Sequence, residues 1–410
     1  MTTEMRVLRP SEWNEWFEAL GLAFGGGAMP AAKRDLYREV THVDRSLAVW
    51  DGTEPVGSAS SFPFSITVPG GGLVRAAGVT MVGVASTHRR RGILTSMMRR
   101  QLDDVRAWGE PVAALYASEP GIYGRFGYDT ASHLIRAEID TDRVGLTLPE
   151  GTDAVRIRRV RDAGAALAAF EEVYAAQVPA RPGMIARLPH WDRLGAVDPV
   201  EDRAGASELL SVVAERDGRV TGCVRYRTRA DWTDSVPQGR VEVRDLFAHD
   251  PASYAALLRH LWGIDLTSTV QMENRPVDDP WQLLVSDIRR CRVRVVDSLH
   301  VRLVDVGAAL AARSYATPVD VVLEVSDPFC PWNTGRWRLS GDTKGAACAP
   351  TRDAADLSLS VRELAAAYLG GTRLGTLAAA GRVRELREGA LADADAAFTS
   401  GAAPWGPHMF

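Results

Sequence analysis

The sequence predicts an α/β protein of several domains, on three observations. Strand patterns alternate with amphipathic helix patterns over roughly the first 140 residues, as in an α/β domain. A similar order of elements recurs up to about residue 290, and shorter strands and helices follow from Leu299 onwards. The length of 410 residues suits roughly two to four domains of ordinary size.

Composition excludes several classes of protein. The 48 basic and 52 acidic residues give a net charge of −4, without the basic excess of a duplex-binding protein. No apolar run approaches the length of a spanning helix, and the first residues lack the pattern of a signal peptide. We expect a cytoplasmic protein with no nucleic-acid or membrane partner. No metal is expected either, because the four cysteines are widely spaced and are interpreted as reduced thiols: Cys223, Cys291, Cys330 and Cys348.

In the first region each predicted element has a local signal. Ser11 is a candidate N-cap, and Asp51-Gly52 is a hairpin turn signal. The apolar residues between Ile93 and Val105 share one face of a long helix. The other predicted elements are a helix that follows Ser11 and ends at Gly25–Gly27, and the strands Thr2–Arg9, Ser46–Trp50, Pro55–Phe64, Leu73–Ala85 and Pro111–Ala117.

The later regions are predicted in the same way. The predicted strands are Val155–Val160, Leu209–Glu215, Val220–Thr228, Arg240–Ala248, Val301–Asp305, Val319–Val325, Gly335–Ser340 and Leu357–Val361. The predicted helices are Ala163–Gln177, Ser253–Trp262, Arg362–Leu369 and Thr376–Gly381. The tail after Phe398 has no periodicity, yet it contains Trp405, Met409 and Phe410, which is unusual for a terminus that frays.

The strongest local signal is a strand, a basic turn and a helix in immediate succession over residues 79–94. The first amides of a helix have no internal partner and lie at the positive end of its dipole. A pyrophosphate can sit on these amides, beside the arginines of the turn and with no Cβ at Gly92 in the way. The segment favours acyl-CoA binding, and a solvated basic helix start is the alternative.

A glycine interrupts the strand before this turn. Gly83 indicates a bulge or a close approach to the backbone. A bulge would free the amides around Val82 and Val84 to bond a pantetheine arm and a thioester carbonyl. Tolerance of the glycine for packing is the alternative.

A second signal lies over residues 113–128, where a strand ends in a polar turn and a Gly-rich segment with Tyr123 and Tyr128. A phenol with a pKa of about 10 can protonate a departing thiolate. A packing role for these tyrosines is the alternative.

The pairing of Thr87–Gly92 with Ala117–Tyr128 resembles the Eis family of GCN5-related N-acetyltransferases (GNAT), which acetylate aminoglycosides at several amines. Arg89-x-x-Gly92 matches half of the GNAT R/Q-x-x-G-x-G/A signature, while Leu94 replaces its final small residue. The resemblance covers the full length, including Val322–Asp327, Tyr368–Gly371 and Thr376–Ala380.

The resemblance implies two GNAT-like regions in tandem, a C-terminal sterol-carrier-like region, acetyl-CoA as co-substrate and a homohexamer. We expect a catalytic GNAT domain over residues 1–140 and a degenerate GNAT-like domain without a CoA site over 141–292. A sterol-carrier-like domain over 293–410 would supply the terminal carboxylate. In the second region the corresponding turn lacks the glycine and the arginines, and Asp250 would repel a phosphate.

Site residues follow from the same resemblance. Tyr123 matches the family's general acid, and the terminal carboxylate, here that of Phe410, matches its general base. An α-carboxyl with a pKa of about 3.3–3.7 is a weak base, so its use depends on placement beside the ammonium. The residues that would hold acetyl-CoA are Val82, Gly83, Val84, Arg89, Arg90, Arg91, Gly92, Ile93, Leu94, Thr95, Ser118 and Glu119.

The acceptor is expected to be a primary amine of a small molecule. Polycationic aminoglycosides favour carboxylates around the amine, but the penultimate residue is Met409, and Phe24–Met29, around Gly25, holds no acid. The resemblance also places the His of a family member where Tyr116 stands. These departures favour a less charged amine or a narrower aminoglycoside range. A protein-lysine acetyltransferase and a CoA-sensing protein that binds an apolar ligand are the alternative functions.

Several other residues are interpreted as structural. His88 is expected to be a turn residue rather than a catalytic base. The aromatic side chains of Trp13, Trp16 and Phe24 are expected in the core. The carboxylate pairs Asp278-Asp279 and Asp393/Asp395 are interpreted as solvated surface groups.

Overall fold

The computed structural model describes residues 3–27 and 29–410, so that Thr2, at the start of the first predicted strand, and Ala28 lie outside the described residues. The described strands are β1 (Glu4–Val7), β2 (Leu47–Asp51), β3 (Glu54–Thr67), β4 (Leu73–Val84), β5 (Val112–Tyr116), β6 (Asp129–Thr130), β7 (His133–Asp140), β8 (Arg156–Val160), β9 (Ile185–Ala186), β10 (Leu210–Arg216), β11 (Arg219–Arg229), β12 (Trp232–Thr233), β13 (Val236–Pro237), β14 (Gly239–Ala248), β15 (Thr267–Pro276), β16 (Arg294–Asp297), β17 (Leu299–Leu303), β18 (Val319–Ser326), β19 (Gly335–Asp342), β20 (Gly345–Pro350), β21 (Leu357–Ser360) and β22 (Val383–Glu385).

The described helices are α1 (Trp13–Ala23), α2 (Ala31–Val40), α3 (Ile93–Ala107), α4 (Pro120–Tyr123), α5 (Ala163–Gln177), α6 (Trp191–Leu194), α7 (Pro251–Trp262), α8 (Trp281–Leu284), α9 (Val306–Ala311), α10 (Val361–Ala367), α11 (Leu374–Ala379) and α12 (Ala390–Phe398). In the part of the chain that is described, none of them is long and apolar enough to cross a bilayer.

The chain forms two compact units. The first contains the residues up to Ser132, the short segment Arg181–Ala186 and the residues from Ser298 to Phe410. The second contains His133–Ala180 and Arg187–Asp297.

The large sheet of the first unit draws on three separate parts of the chain. Its strand order is β1-β2-β3-β4-β5-β17-β6, and β9 pairs with β3. Strand β17 lies between β5 and β6 and pairs antiparallel with both. Strand β7, within the predicted residues 1–140, pairs instead in the sheet of the second unit. Strand pairing therefore does not follow the predicted boundaries, because hydrophobic periodicity does not show which distant strand is the partner.

Helices α1 and α3 pack on this sheet. Helix α3 buries the face predicted from its periodicity, placing Met98, Leu102 and Val105 against β4 residues. Helix α1 begins at Trp13, after a 3-10 turn in which the Glu12 carboxylate accepts the Arg9 amide at 3.1 Å, so Ser11 is not its cap. The core interpretation is confirmed for Trp13 and Trp16 but is wrong for Phe24, which follows α1 and is 57% exposed.

The sheet of the second unit has the order β16-β7-β15-β14-β11-β10-β8. Its central pair β14–β15 is parallel, as is β4–β5 in the first unit. The prediction of a solvated Asp279 is wrong, since this residue is 1% exposed. Its carboxylate pairs with the buried Arg275 at 2.6 Å and accepts the Tyr254 hydroxyl, because a guanidinium removed from water needs an acid.

A second sheet of the first unit, formed after residue 318, has the order β20-β19-β18-β21-β22. Beside it Arg313 is 1% exposed and donates to the carbonyls of Tyr368 and Phe398. Burial lowers the pKa of this guanidinium. In the same part of the chain Asp395 accepts the Arg373 guanidinium at 3.0 Å, whereas Asp393 is exposed as predicted.

A buried ion pair joins β17 to the segment after β18. Arg302 and Asp327 are both inaccessible, and their closest contact is 2.7 Å. The same guanidinium donates to the Phe126 carbonyl at 3.0 Å, and Asp327 also accepts the Asn333 amide at 2.9 Å.

Replacing Asp327 with Ala should lower the free energy of unfolding by about 3–5 kcal/mol, because it leaves the Arg302 charge buried without a partner. Chemical denaturation followed by circular dichroism measures this loss. The control is Asp320→Ala, which removes a half-exposed pair with Arg338 and should change stability little, since exposed ion pairs contribute little. Equal losses in both variants would contradict the special cost assigned to the buried pair.

Candidate active site

Strand β4, which contains the predicted cofactor residues Val82–Val84, has a bulge. Ser58 of β3 pairs with Gly83, but Ser60 pairs with Thr80, so two β4 residues face one β3 residue. Met81 within the bulge has a φ of +53°. Gly83 itself allows a close approach, since a Cβ there would lie 3.2 Å from the Leu20 side chain of α1. The glycine thus packs against α1, and the predicted bulge lies directly before it.

The pairing of β4 with β5 stops before the bulge. In the described residues the two strands pair only over 76–78 and 112–114, although β4 continues to Val84 and β5 to Tyr116. We call the gap beyond Gly78 the β4–β5 split. Val82, Gly83 and Val84 lie on the β4 side of this split, as an extended thioester arm would require.

The basic turn leads directly into α3. Gly92 takes a left-handed φ of +83°, and a Cβ there would meet no described atom within 4 Å. The first intrahelical bond runs from the Ser96 amide to the Gly92 carbonyl, so the amides of Ile93, Leu94 and Thr95 precede the helical ladder. Among the described residues no side chain caps this helix and its first turn holds no acid.

Positive charge surrounds this helix start. The side chains of Arg89, Arg90 and Arg91 belong to exposed residues, and Arg89 reaches the Ala23 carbonyl at 3.5 Å. An open, uncapped helix N-terminus with adjacent guanidinium groups fits a pyrophosphate. His88, in contrast, is buried and is bound by Asp51 at 3.1 Å and Thr87 at 2.8 Å, so it is a structural residue as predicted.

The corresponding helix of the second unit begins differently. Asp250 caps α7, accepting the Ser253 amide at 3.0 Å and the Ser253 hydroxyl at 2.8 Å. Pro251 at the first helical position has no N–H to offer. A carboxylate of the chain therefore already occupies the amides at this helix start.

Tyr123 is the last residue of α4, just beyond β5. Its ring lies 6.0 Å from that of Tyr128, edge to face. Burial raises the pKa of the Tyr123 phenol, and the negative charge of Glu119 raises it further. Ser118 and Glu119 are exposed in the turn between β5 and α4. A phenol with an ordinary pKa of about 10 is already protonated at neutral pH, and the raised pKa extends the protonated form to higher pH.

The terminal residue lies beside the β4–β5 split. The Phe410 ring centroid is 5.0 Å from that of Phe64 and 5.1 Å from that of Tyr116. A Cβ at Gly78 would approach the Phe410 ring to 3.2 Å. Gly78 is the last β4 residue paired with β5. The fold thus brings Phe410 to the point where the split opens, although more than 300 residues separate them.

Sequence reasoning did not identify the residues that hold Phe410. Phe64 and Gly78 lie on β3 and β4 and were interpreted only as strand residues. The tail before Phe410 packs on Gly183, where a Cβ would lie 3.0 Å from the Trp405 carbonyl oxygen, and no element was assigned to that segment.

A mixed sheet with a bulged, splayed β4, a parallel neighbour and an uncapped basic helix start defines a GNAT-type N-acetyltransferase. The family models agree, since acetyltransferase (GNAT) domains match residues 4–131 and 183–303, and a sterol carrier protein domain matches residues 306–407. The chain belongs to the Eis family of N-acetyltransferases. The predicted fold class of two GNAT domains and a sterol-carrier-like domain is confirmed.

Three relatives illustrate the similarity. An uncharacterized N-acetyltransferase of Streptomyces avermitilis is 60% identical over the full length of both chains. N-acetyltransferase Eis of Mycobacterium tuberculosis is 35% identical over 89% of each chain. The crystal structure of Eis1 from Mycobacterium abscessus superposes over the full length of both chains with a TM-score of 0.84 and 35% identity.

Proposed function

We propose that this enzyme transfers the acetyl group of acetyl-CoA directly to a primary amine of a small molecule, with Phe410 as general base and Tyr123 as general acid. The observation that carries the proposal is the position of Phe410 against Gly78, where β4 and β5 part. A terminal carboxylate at this point is placed to meet an amine that approaches the split.

Acetyl-CoA, when bound, supplies the acetyl group as a thioester. The amides of Ile93, Leu94 and Thr95 and the guanidinium groups of Arg89–Arg91 would bind its pyrophosphate. The bulged backbone of Val82–Val84 would hold the acetyl and pantetheine part, and Ser118 and Glu119 would line its other side. The open helix start and the split fit this co-substrate.

Two groups of the protein, the Phe410 carboxylate and the Tyr123 hydroxyl, transfer protons in this reaction. The Phe410 carboxylate accepts a proton from the amine, directly or through water, and so frees the nitrogen lone pair to attack the thioester carbonyl. Backbone amides near Val82 and Val84 stabilise negative charge on the carbonyl oxygen. As the carbon–sulfur bond breaks, the Tyr123 hydroxyl donates its proton to the sulfur. The second proton that the nitrogen loses on becoming an amide then passes to the Tyr123 phenolate, directly or through water, and restores the hydroxyl.

The acceptor is an amine less charged than a typical aminoglycoside, or a narrow set of aminoglycosides. The basis is the sequence, in which Met409 and the segment around Gly25 offer no carboxylate. By its family membership we also propose that the enzyme is a cytoplasmic homohexamer whose second GNAT region binds no CoA and which needs no metal.

A thiol-release assay tests the reaction. The panel of acceptors contains small amines, aminoglycosides and lysine peptides. With acetyl-CoA and a small amine or an aminoglycoside, purified enzyme should release thiol in proportion to acetylated product, which is detected by mass spectrometry. Reactions without acceptor give the background. Acetylation confined to lysine peptides would replace the proposal with a protein acetyltransferase, and acetyl-CoA binding without product across the panel would replace it with a sensor.

A further inference from the structure

Hydrogen bonds hold the C-terminal tail at two points shortly before Phe410. The Trp405 amide donates to the Pro182 carbonyl at 2.8 Å, and the Arg181 guanidinium donates to the Ala403 carbonyl at 2.7 Å. Trp405 is only 3% exposed. A tail fixed in this way is an ordered part of the first unit rather than a fraying end.

A single hydroxyl binds the tail four residues before Phe410. Tyr116 donates from its hydroxyl to the Gly406 carbonyl at 2.9 Å. Its ring also packs edge to face on the Phe410 ring at 5.1 Å. As the final residue of β5, Tyr116 is itself held by its pairing with Leu299 of β17. One strand residue therefore contacts the tail at both ends of its last stretch.

The tail backbone at Gly406 approaches Tyr116 so closely that no side chain fits at position 406. A Cβ on Gly406 would lie 2.3 Å from the Tyr116 hydroxyl oxygen, inside any real contact. The next nearest atoms are the Gly183 carbonyl oxygen at 3.3 Å and Cζ of Tyr116 at 3.6 Å. The hydroxyl is thus the atom that makes Gly406 necessary.

We propose that Tyr116 is a positioning residue for the terminal carboxylate, acting through its hydrogen bond to Gly406. The proposal rests on the proposed role of Phe410. Tyr116 does not move a proton in the reaction. Its hydroxyl fixes the tail at Gly406, four residues before the carboxylate, while its ring packs on Phe410 itself.

The first arm of the test is kinetic. Tyr116→Phe keeps the ring and loses the hydroxyl, and it should lower kcat about 3–10-fold, the effect of one hydrogen bond, with the KM for acetyl-CoA unchanged. Gly406→Ala should lower kcat further by displacing the tail. The double variant should recover activity above Gly406→Ala, because the closest obstructing atom has been removed.

The second arm of the test measures the hydrogen exchange of the tail itself. Hydrogen exchange at residues 403–410 should quicken in Tyr116→Phe and Gly406→Ala and slow again in the double variant relative to Gly406→Ala. The matched control is Tyr368→Phe, which loses a hydroxyl bond to the Ala309 carbonyl of equal type, 3.0 Å long. This control should leave tail exchange and kcat unchanged.

The outcomes separate the two proposals. Unchanged tail exchange in Tyr116→Phe, or no recovery in the double variant, overturns the positioning role. If exchange responds as expected while kcat stays constant in all variants, the hydroxyl holds the tail but the carboxylate does not act as base. That result overturns the role of Phe410 and leaves the contact with Gly406 intact.

Discussion

Adding one alanine after Phe410 should lower kcat on the order of 10³-fold, within the range lost with a general base. One added residue moves the carboxylate by up to about 3.5 Å and converts the former carboxylate into an amide that accepts no proton. Binding of acetyl-CoA depends on the basic turn and the β4 backbone, so the KM for acetyl-CoA should stay the same. Steady-state thiol release with a saturating amine measures both constants.

The control for this experiment keeps the carboxylate and changes the ring. Phe410→Leu retains the terminal group in register but loses the aromatic contacts with Phe64 and Tyr116. It should lose far less activity than the extended chain. Wild-type turnover by the extended enzyme would show that the terminal carboxylate is not the base.

Replacing Tyr123 with Phe should lower kcat about 10²-fold, at the lower end of the range for a general acid. The effect is limited because a thiolate whose thiol has a pKa near 8.5 leaves partly without help. KM values should change little, since the ring and its contact with Tyr128 remain. The measurement is the same thiol-release assay, with substrates saturating.

Tyr128→Phe is the matched control. The Tyr128 hydroxyl is buried and has no hydrogen-bond partner among the described residues, so its removal costs little. The pH profile gives an independent readout, because Glu119 helps to raise the pKa of Tyr123. Glu119→Gln removes that negative charge, lowers this pKa and should shift the alkaline loss of activity to lower pH. Unchanged turnover in Tyr123→Phe would rule out the proton-donor role.

Local elements could be predicted well because their signals are local. Helix α5 spans the predicted Ala163–Gln177, and strand β4 differs from its prediction by one residue at its end. Helix α2 and strands β7 and β15 were not predicted. Strand β7 does carry a local alternating pattern, in which Ile135, Ala137 and Ile139 are buried. Its partners β15 and β16 are what periodicity does not show.

The same distinction between local signals and long-range contacts applies to the candidate site. The helix start and the bulge could be predicted, because each follows from a short motif, one containing Gly92 and the other containing Gly83. The environment of Phe410 depends on contacts with β3, β4 and β5 over hundreds of residues. The family resemblance supplied the role of the terminal carboxylate, and only the fold shows that its residue lies at Gly78.

The insertion of β17 between β5 and β6 has a consequence for synthesis of the protein. The catalytic sheet cannot complete its hydrogen bonding until Leu303 has left the ribosome, after the whole second unit has been made. Pairing over such sequence separations is slow, because loop closure precedes any gain from the contacts. Until then, the β5 edge of a nascent chain has no strand partner. A chain truncated near residue 140 would keep this edge unpaired, so we expect it to aggregate rather than to form a minimal enzyme.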